Sequence, residues 1–305
     1  MTTKDHGLKF LRYLATPVAL ACLVLLVWWL EPQEILGALS NVSLLHVVLG
    51  LLLVQGQIVL SGLRWRFTAA RLGQKMPIFH AIGEYYVASA VNQVAPGGMA
   101  GDVLRAYRSA DAEAGGWQRS AKAVFFERLS GQLAFVCLCL PGLVLWPLLI
   151  GKNLWSAEGL LVAGALFIGL AAAGTVLMRR YKSLRADFVV VFLRRGAFMV
   201  QGGLSLAVVF GYVALFMLAA DAVGKPLPLV GAFTVVPLCL AAMLIPTGLG
   251  GWGTREAAAA ALWPLIGLAS ADGVAASLVY GALAMAGASP GFPVIVLSQR
   301  RRTVG

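Results

Sequence analysis

Pro96-Gly97-Gly98-Met99-Ala100-Gly101-Asp102-Val103-Leu104-Arg105 reads P-x-G-x-x-G-x-x-x-R, and Pro246-Thr247-Gly248-Leu249-Gly250-Gly251-Trp252-Gly253-Thr254-Arg255 reads the same, 150 residues later. Two shared glycines mean little in a Gly-rich apolar chain. A proline and an arginine at the same offsets argue against chance, because charge is rare and costly in hydrocarbon. Each motif marks a turn within an apolar segment. The interval between them measures an internal repeat.

Around these motifs the chain is built for lipid. Of 305 residues, 60% are hydrophobic and 12% charged, against roughly a quarter charged in a soluble domain. Residues 44–63, 159–178, 198–220 and 274–297 carry no Asp, Glu, Lys or Arg, and about 20 such residues cross the hydrocarbon. Residues 129–150 are also uncharged, with Pro141 and Pro147 expected to bend the segment. Residues 14–30 are shorter, follow Lys4, Lys9 and Arg12, and run into Glu31-Pro32 without a small-residue cleavage site. They read as a retained anchor rather than a secretory leader. Cys22, Cys137, Cys139 and Cys239 fall in apolar sequence, in neither zinc nor disulfide spacing, and read as small packing residues.

The net charge of +11 is spread over short loops, which points to a positive-inside signal rather than to nucleic acid. A cytoplasmic N-terminus sorts those loops. Arg64, Arg66, Arg71 and Lys75 then lie inside, as do Arg179, Arg180, Lys182, Arg185, Arg194 and Arg195, and the tail Arg300, Arg301 and Arg302. Glu31, Glu34, Lys152 and the turns near Asp221 and Asp272 lie outside. The expected location is the cytoplasmic (inner) membrane, with both termini cytoplasmic.

That sidedness constrains residues 77–115. Their first limb, 77–95, is apolar except for Glu84, whereas 102–114 carries Arg105, Arg108, Asp111 and Glu113. A full crossing by the first limb would send every later loop to the wrong face. A re-entrant hairpin removes the conflict, provided protein or water surrounds it. Residues 229–245 and 255–268 have the same outline around Pro246. Charge permits either a hairpin or two crossings there; the second limb, at about fourteen residues, falls short of a span and favours the hairpin. The expected fold is all-α and polytopic: about six transmembrane helices plus two re-entrant helical hairpins. It forms one integral membrane domain over 1–305, with repeat halves of about 10–150 and 155–298. Three spans per half turn the halves opposite ways, an inverted repeat of the kind that places a site at the centre of many transporters.

The motifs supply chemistry for an anion. Proline ends the entering limb, Gly98, Gly101, Gly248 and Gly251 allow a tight turn and close approach, and Asp102 and Thr254 are expected N-caps. A helix N-terminus attracts anions, and Arg105 or Arg255 in its first turns adds a forked, permanent charge. Asp102 and Glu256 are the expected partners of these arginines if they serve packing instead. Glu84 needs a partner or a proton. Glu127 and Arg128 read either as a local pair or as residues at the interface. Asn92 and Gln93 read as satisfying freed backbone groups or touching a ligand. Arg64 and Arg66, flanking Trp65, read as an interfacial anchor, and His46 is given no role. No catalytic, cofactor or metal constellation is expected: His6, His46 and His80 are scattered, and no nucleophile or phosphate-loop motif occurs.

Taken together, Arg64-Trp65-Arg66, Asn92 to Pro96 with Gly98, Gly101, Asp102 and Arg105, Glu127-Arg128-Leu129, and Ile245-Pro246 with Gly248, Gly250, Gly251 and Arg255-Glu256 resemble a known family. It is the flippase-like transmembrane domain of lysylphosphatidylglycerol synthases, and the resemblance covers roughly residues 10–298. It implies movement of lipids between leaflets. In that family the synthase activity belongs to a further cytoplasmic domain, for which a chain ending at Gly305 leaves no room, so a non-enzymatic protein is expected. The leading expectation is a lipid translocase whose partner is a membrane lipid with a phosphate-bearing head group, held by Arg105 and Arg255 from opposite sides. The alternative is a non-transporting membrane partner of an envelope or lipid-synthesis enzyme.

Overall fold

The computed structural model describes residues 32–95, 98–110, 116–151, 169, 172, 174–176, 179–245 and 250–295. The expected span at 14–30 lies outside these residues, and that at 159–178 does so but for isolated positions. Cys22, Gly248 and both motif prolines are outside them as well.

Every regular element among the described residues is helical. A short α1 (Pro32–Leu39) leads into α2 (Leu44–Arg71), whose Ser43 amide donates to His46 Nδ1 at 3.3 Å. The pair α3 (Ile78–Val94) and α4 (Ala100–Arg108) follows, then the long α5 (Gly116–Val144) and the short α6 (Trp146–Ile150). Next come α7 (Lys182–Phe188), a π turn and α8 (Ala197–Ala222). The broken pair α9 (Leu229–Phe233) and α10 (Val235–Ala242), then α11 (Thr254–Leu262) and α12 (Ser270–Ala288), complete the described elements. Helices over Leu44–Arg71, Gly116–Gly142, Lys182–Ala222 and Ser270–Ile295 are long and apolar enough to cross a membrane. The protein is an integral, all-helical membrane protein.

The centre is the α2–α8 pair, onto which α3, α5 and α12 pack. One face of α2 is apolar and exposed, with Leu44, Leu45, Val48 and Leu52 turned outward; in lipid that is the expected surface. The opposite face is polar. Gln57, Ser61, Arg64 and Thr68, spaced by four, three and four residues, are all buried, which puts them on one helical stripe. Across it, Gln201 of α8 donates to Thr68 at 2.7 Å, and Arg64 to Ser205 of α8 at 3.3 Å.

Gln74, before α3, donates to the Ser109 carbonyl at the end of α4 at 2.5 Å, so the two outer ends of the α3–α4 pair lie together. Its limbs touch at Gly101, where any Cβ would overlap the Ala88 carbonyl. In the second half, a Cβ on Gly231 of α9 would lie 3.9 Å from Ile266, beyond α11. Gly250 also lies against the end of α3: a Cβ on it would stand 2.8 Å from Gln93 Oε1.

Several local expectations change. Asp102 is not an N-cap: Met99 holds that position, and Asp102 lies in the first turn with its carboxylate committed to arginines. Thr254 is likewise the first helical residue, behind the N-cap Gly253 at φ +90°, and its hydroxyl donates to the Gly251 carbonyl at 3.2 Å. The matched glycines differ too, since Gly101 is helical whereas Gly251 sits at φ +86°. The limb expected to run unbroken over 229–245 splits at Thr234. Pro237 cannot donate to the carbonyl four residues back, that of Phe233, and Gly142 of α5 packs against it. Pro141 is accommodated inside α5; the break comes at Leu145, ahead of Pro147.

Candidate functional site

Five helices meet at one buried point, three of them bringing charge and two bringing hydroxyls. Glu127 of α5 is fully buried and accepts from Arg64 through both Nε, at 3.0 Å, and Nη2. Its other oxygen accepts from Arg105 Nη2 of α4 at 2.6 Å. Tyr85 of α3 adds its hydroxyl at 3.2 Å, and Ser205 of α8 touches Arg64. Arg105 turns its Nε to Asp102 at 3.0 Å, and Asp102 also takes Arg128 Nη2 of α5 at 2.7 Å. Asn92 accepts from the Gly101 amide at 2.8 Å and donates to Asp102 at 3.4 Å, so it serves both backbone and cluster. The Arg105 guanidinium lies 4.9 Å from the Trp65 ring centre and 4.5 Å from that of Tyr85, a double cation–π contact.

Three guanidinium groups here face two carboxylates. Arg105 Nη1, Arg128 Nε and Trp65 Nε1 are buried donors with no acceptor among the described residues. Arg128 is the opening, its side chain 40% exposed while Asp102, Glu127 and Arg105 are at most 6% exposed. One turn of α4 further on, Arg108 clasps Glu84 with two bonds of 2.7 and 2.8 Å, giving that carboxylate its partner.

The second motif is built differently. Arg255 donates to Glu256 Oε1 at 2.6 Å and to Ser277 of α12 at 2.7 Å, and Ser277 returns a bond of 2.8 Å to the same oxygen. The Gly253 amide donates to Glu256 Oε2 at 2.6 Å. Arg255 lies 5.2 Å from the Trp252 ring centre and 4.8 Å from that of Tyr280. A Cβ on Gly281 would collide with Arg255 and Trp252. This unit is neutral, with charge matched one to one, and its one leftover donor among the described residues is Trp252 Nε1.

Arg105, Asp102, Glu84, Asn92, Glu127 and Arg128 therefore share one neighbourhood, while Arg255, Glu256 and Thr254 form another. Gly98, at φ +62°, belongs to the turn before α4. Glu127 and Arg128 are not a mutual pair; adjacent on a helix, they point to different partners. The anchor expected at Arg64 is also revised. Arg64 is 3% exposed, two turns before the end of α2, while Arg66 alone reaches a loop, at the Met76 carbonyl. Arg64, Tyr85, Ser205, Ser277 and Tyr280 escaped the sequence reading; the periodic stripe 57, 61, 64, 68 carried the signal for the first.

Membrane-spanning helices around a buried ionic centre define a class of polytopic membrane protein with polar machinery inside. The family model of the lysylphosphatidylglycerol synthase TM region matches residues 15–289, and the chain belongs to that family. Neither a curated protein nor a solved structure matches it.

Proposed function

We propose that this protein is a lipid translocase that moves an anionic, phosphate-bearing lipid between the leaflets of the cytoplasmic membrane, without enzymatic activity and with both termini cytoplasmic. The carrying observation is the excess of guanidinium over carboxylate at the first motif, with donors of Arg105 and Arg128 left over. Burying an ion pair adds little or nothing to stability compared with apolar packing, so an ionic cluster shared by three helices implies use. Phosphate suits it, because a guanidinium fork binds phosphate bidentately. In this reading Asp102 is a resident stand-in for the lipid anion. A phosphate arriving at the exposed edge of Arg128 takes over the bonds that Asp102 now holds.

The membrane association of the family supports lipid handling. The architecture we propose is an inverted repeat of three spans and a re-entrant hairpin, entered from opposite faces. A shift of 150 residues carries α2 to residues 194–221, against α8 at Ala197–Ala222, and carries the Arg105–Glu127 bond onto Arg255–Ser277. At 1.5 Å per residue, α4 and α11 rise only about 13 Å against a hydrocarbon of about 30 Å, which suits half-crossings. The two motifs then divide the work: the first binds, and the neutral second one braces.

The test is lipid movement by purified protein in vesicles holding fluorescent phosphatidylglycerol, read by quenching from one side. The wild type should accelerate exchange, Arg128→Gln should lower the rate about tenfold or more, and Thr254→Ala should leave it within about twofold. An inactive wild type sinks the function, and an Arg128→Gln as fast as wild type sinks the site. Stable co-purification of an envelope or lipid-synthesis enzyme with an inactive wild type would instead favour a partner role.

A further inference from the structure

Away from the ionic cluster, an open groove of about 680 Å³ runs between α2 and α8. Its floor is small, made by Gly56, Ala207, Gly211 and Ala214, and Leu53 and Met217 are among its walls. From Leu49 to Leu60 it extends about 16 Å along α2, half of the roughly 30 Å hydrocarbon. Both of its walls belong to helices long and apolar enough to cross a membrane, which suits an apolar occupant. Asp221 closes one end, bonded to His46 at 3.2 Å.

One polar side chain lines the apolar part. Gln57 is 5% exposed and stands midway along α2. Its Nε2 lies against Gly211, where an added Cβ would sit 3.5 Å away, and has no acceptor among the described residues. A buried amide donor left without an acceptor is costly, and saturated hydrocarbon cannot accept from it.

We propose that the α2–α8 groove binds the fatty-acyl chain of a glycerolipid, with the ester carbonyl accepting from Gln57 Nε2. An ester at that height belongs to a lipid displaced halfway between leaflets. Its depth therefore rests on the transport reading, but its binding does not. Ser61 and Arg64 follow Gln57 on the same buried stripe, so the ester end of the lipid faces the ionic cluster.

The test is photo-crosslinking in nanodiscs with a phosphatidylglycerol carrying a diazirine at the end of one chain, linked either by ester or by ether. Wild type should label within residues 49–60 and 207–221. It should prefer the ester about fivefold, the scale of one neutral hydrogen bond. Gln57→Leu should erase the preference, and Ala214→Phe should reduce both labels. Equal ester and ether labelling of wild type overturns the proposal without any variant. So does label spread evenly onto Leu44, Leu45 and Val48, the ordinary lipid face. Protein that keeps the ester preference but moves no lipid supports the groove and removes the transport reading.

Discussion

Glu127 gives one carboxylate oxygen to Arg64 and the other to Arg105, so a single side chain joins α2, α4 and α5. Glu127→Gln keeps the shape but leaves two buried guanidinium groups short of charge, and uncompensated buried charge costs about 3–5 kcal/mol. Ser277→Ala at the equivalent point of the second motif leaves Arg255 with Glu256, a loss of about 1 kcal/mol. Reversible unfolding in mixed micelles should rank them in that order; equal losses would mean that the first cluster is no more interdependent than the second. Arg105, Asp102 and Glu84 were legible as site residues because charge stands out in apolar sequence. Arg64 was not, because an arginine near a span end reads the same whether it reaches the interface or turns inward. Only its register with Gln57, Ser61 and Thr68 separates the two, and register matters only once a partner helix is known.

The first hairpin depends on contact between backbones. Gly101 lies against the Ala88 carbonyl with no room for a methyl group, whereas Gly83, on the other limb, has nothing within 4 Å of an added Cβ. Overpacking costs about 1–3 kcal/mol, and a helical Gly→Ala change in open space gains up to about 1 kcal/mol. Gly101→Ala should therefore lower the thermal midpoint in detergent, and Gly83→Ala should hold or raise it. An unaffected Gly101→Ala would show that the limbs do not pack this closely. Long apolar elements were readable from the absence of charge. The split at Thr234 and the N-caps were not: both turn on which carbonyl or carboxylate is already engaged, a tertiary fact. Asp102 has the composition of a cap and the duties of an ion-pair partner.

For the molecule as a whole, the contact of Gln74 with Ser109 puts the entry and exit of the first hairpin together. With the native cysteines replaced, single cysteines at Lys75 and Ala110 should react with impermeant maleimide from the same face of sealed vesicles. Labelling from opposite faces would make the hairpin a full crossing. The paired motif was legible because its residues recur at a fixed offset. What surrounds the two arginines was hidden, since the residue 22 positions on is Glu127 in one case and Ser277 in the other. The spacing also orders the bonds in time during synthesis. Arg105 donates to a residue 22 positions later, and so does Arg255. At about 5–20 residues per second, each arginine leaves the ribosome roughly one to four seconds ahead of its acceptor. Arg255 has Glu256 beside it from the start, whereas Arg105 gains its second carboxylate only from the following span, so the first cluster completes its ion pairs after that span has been made.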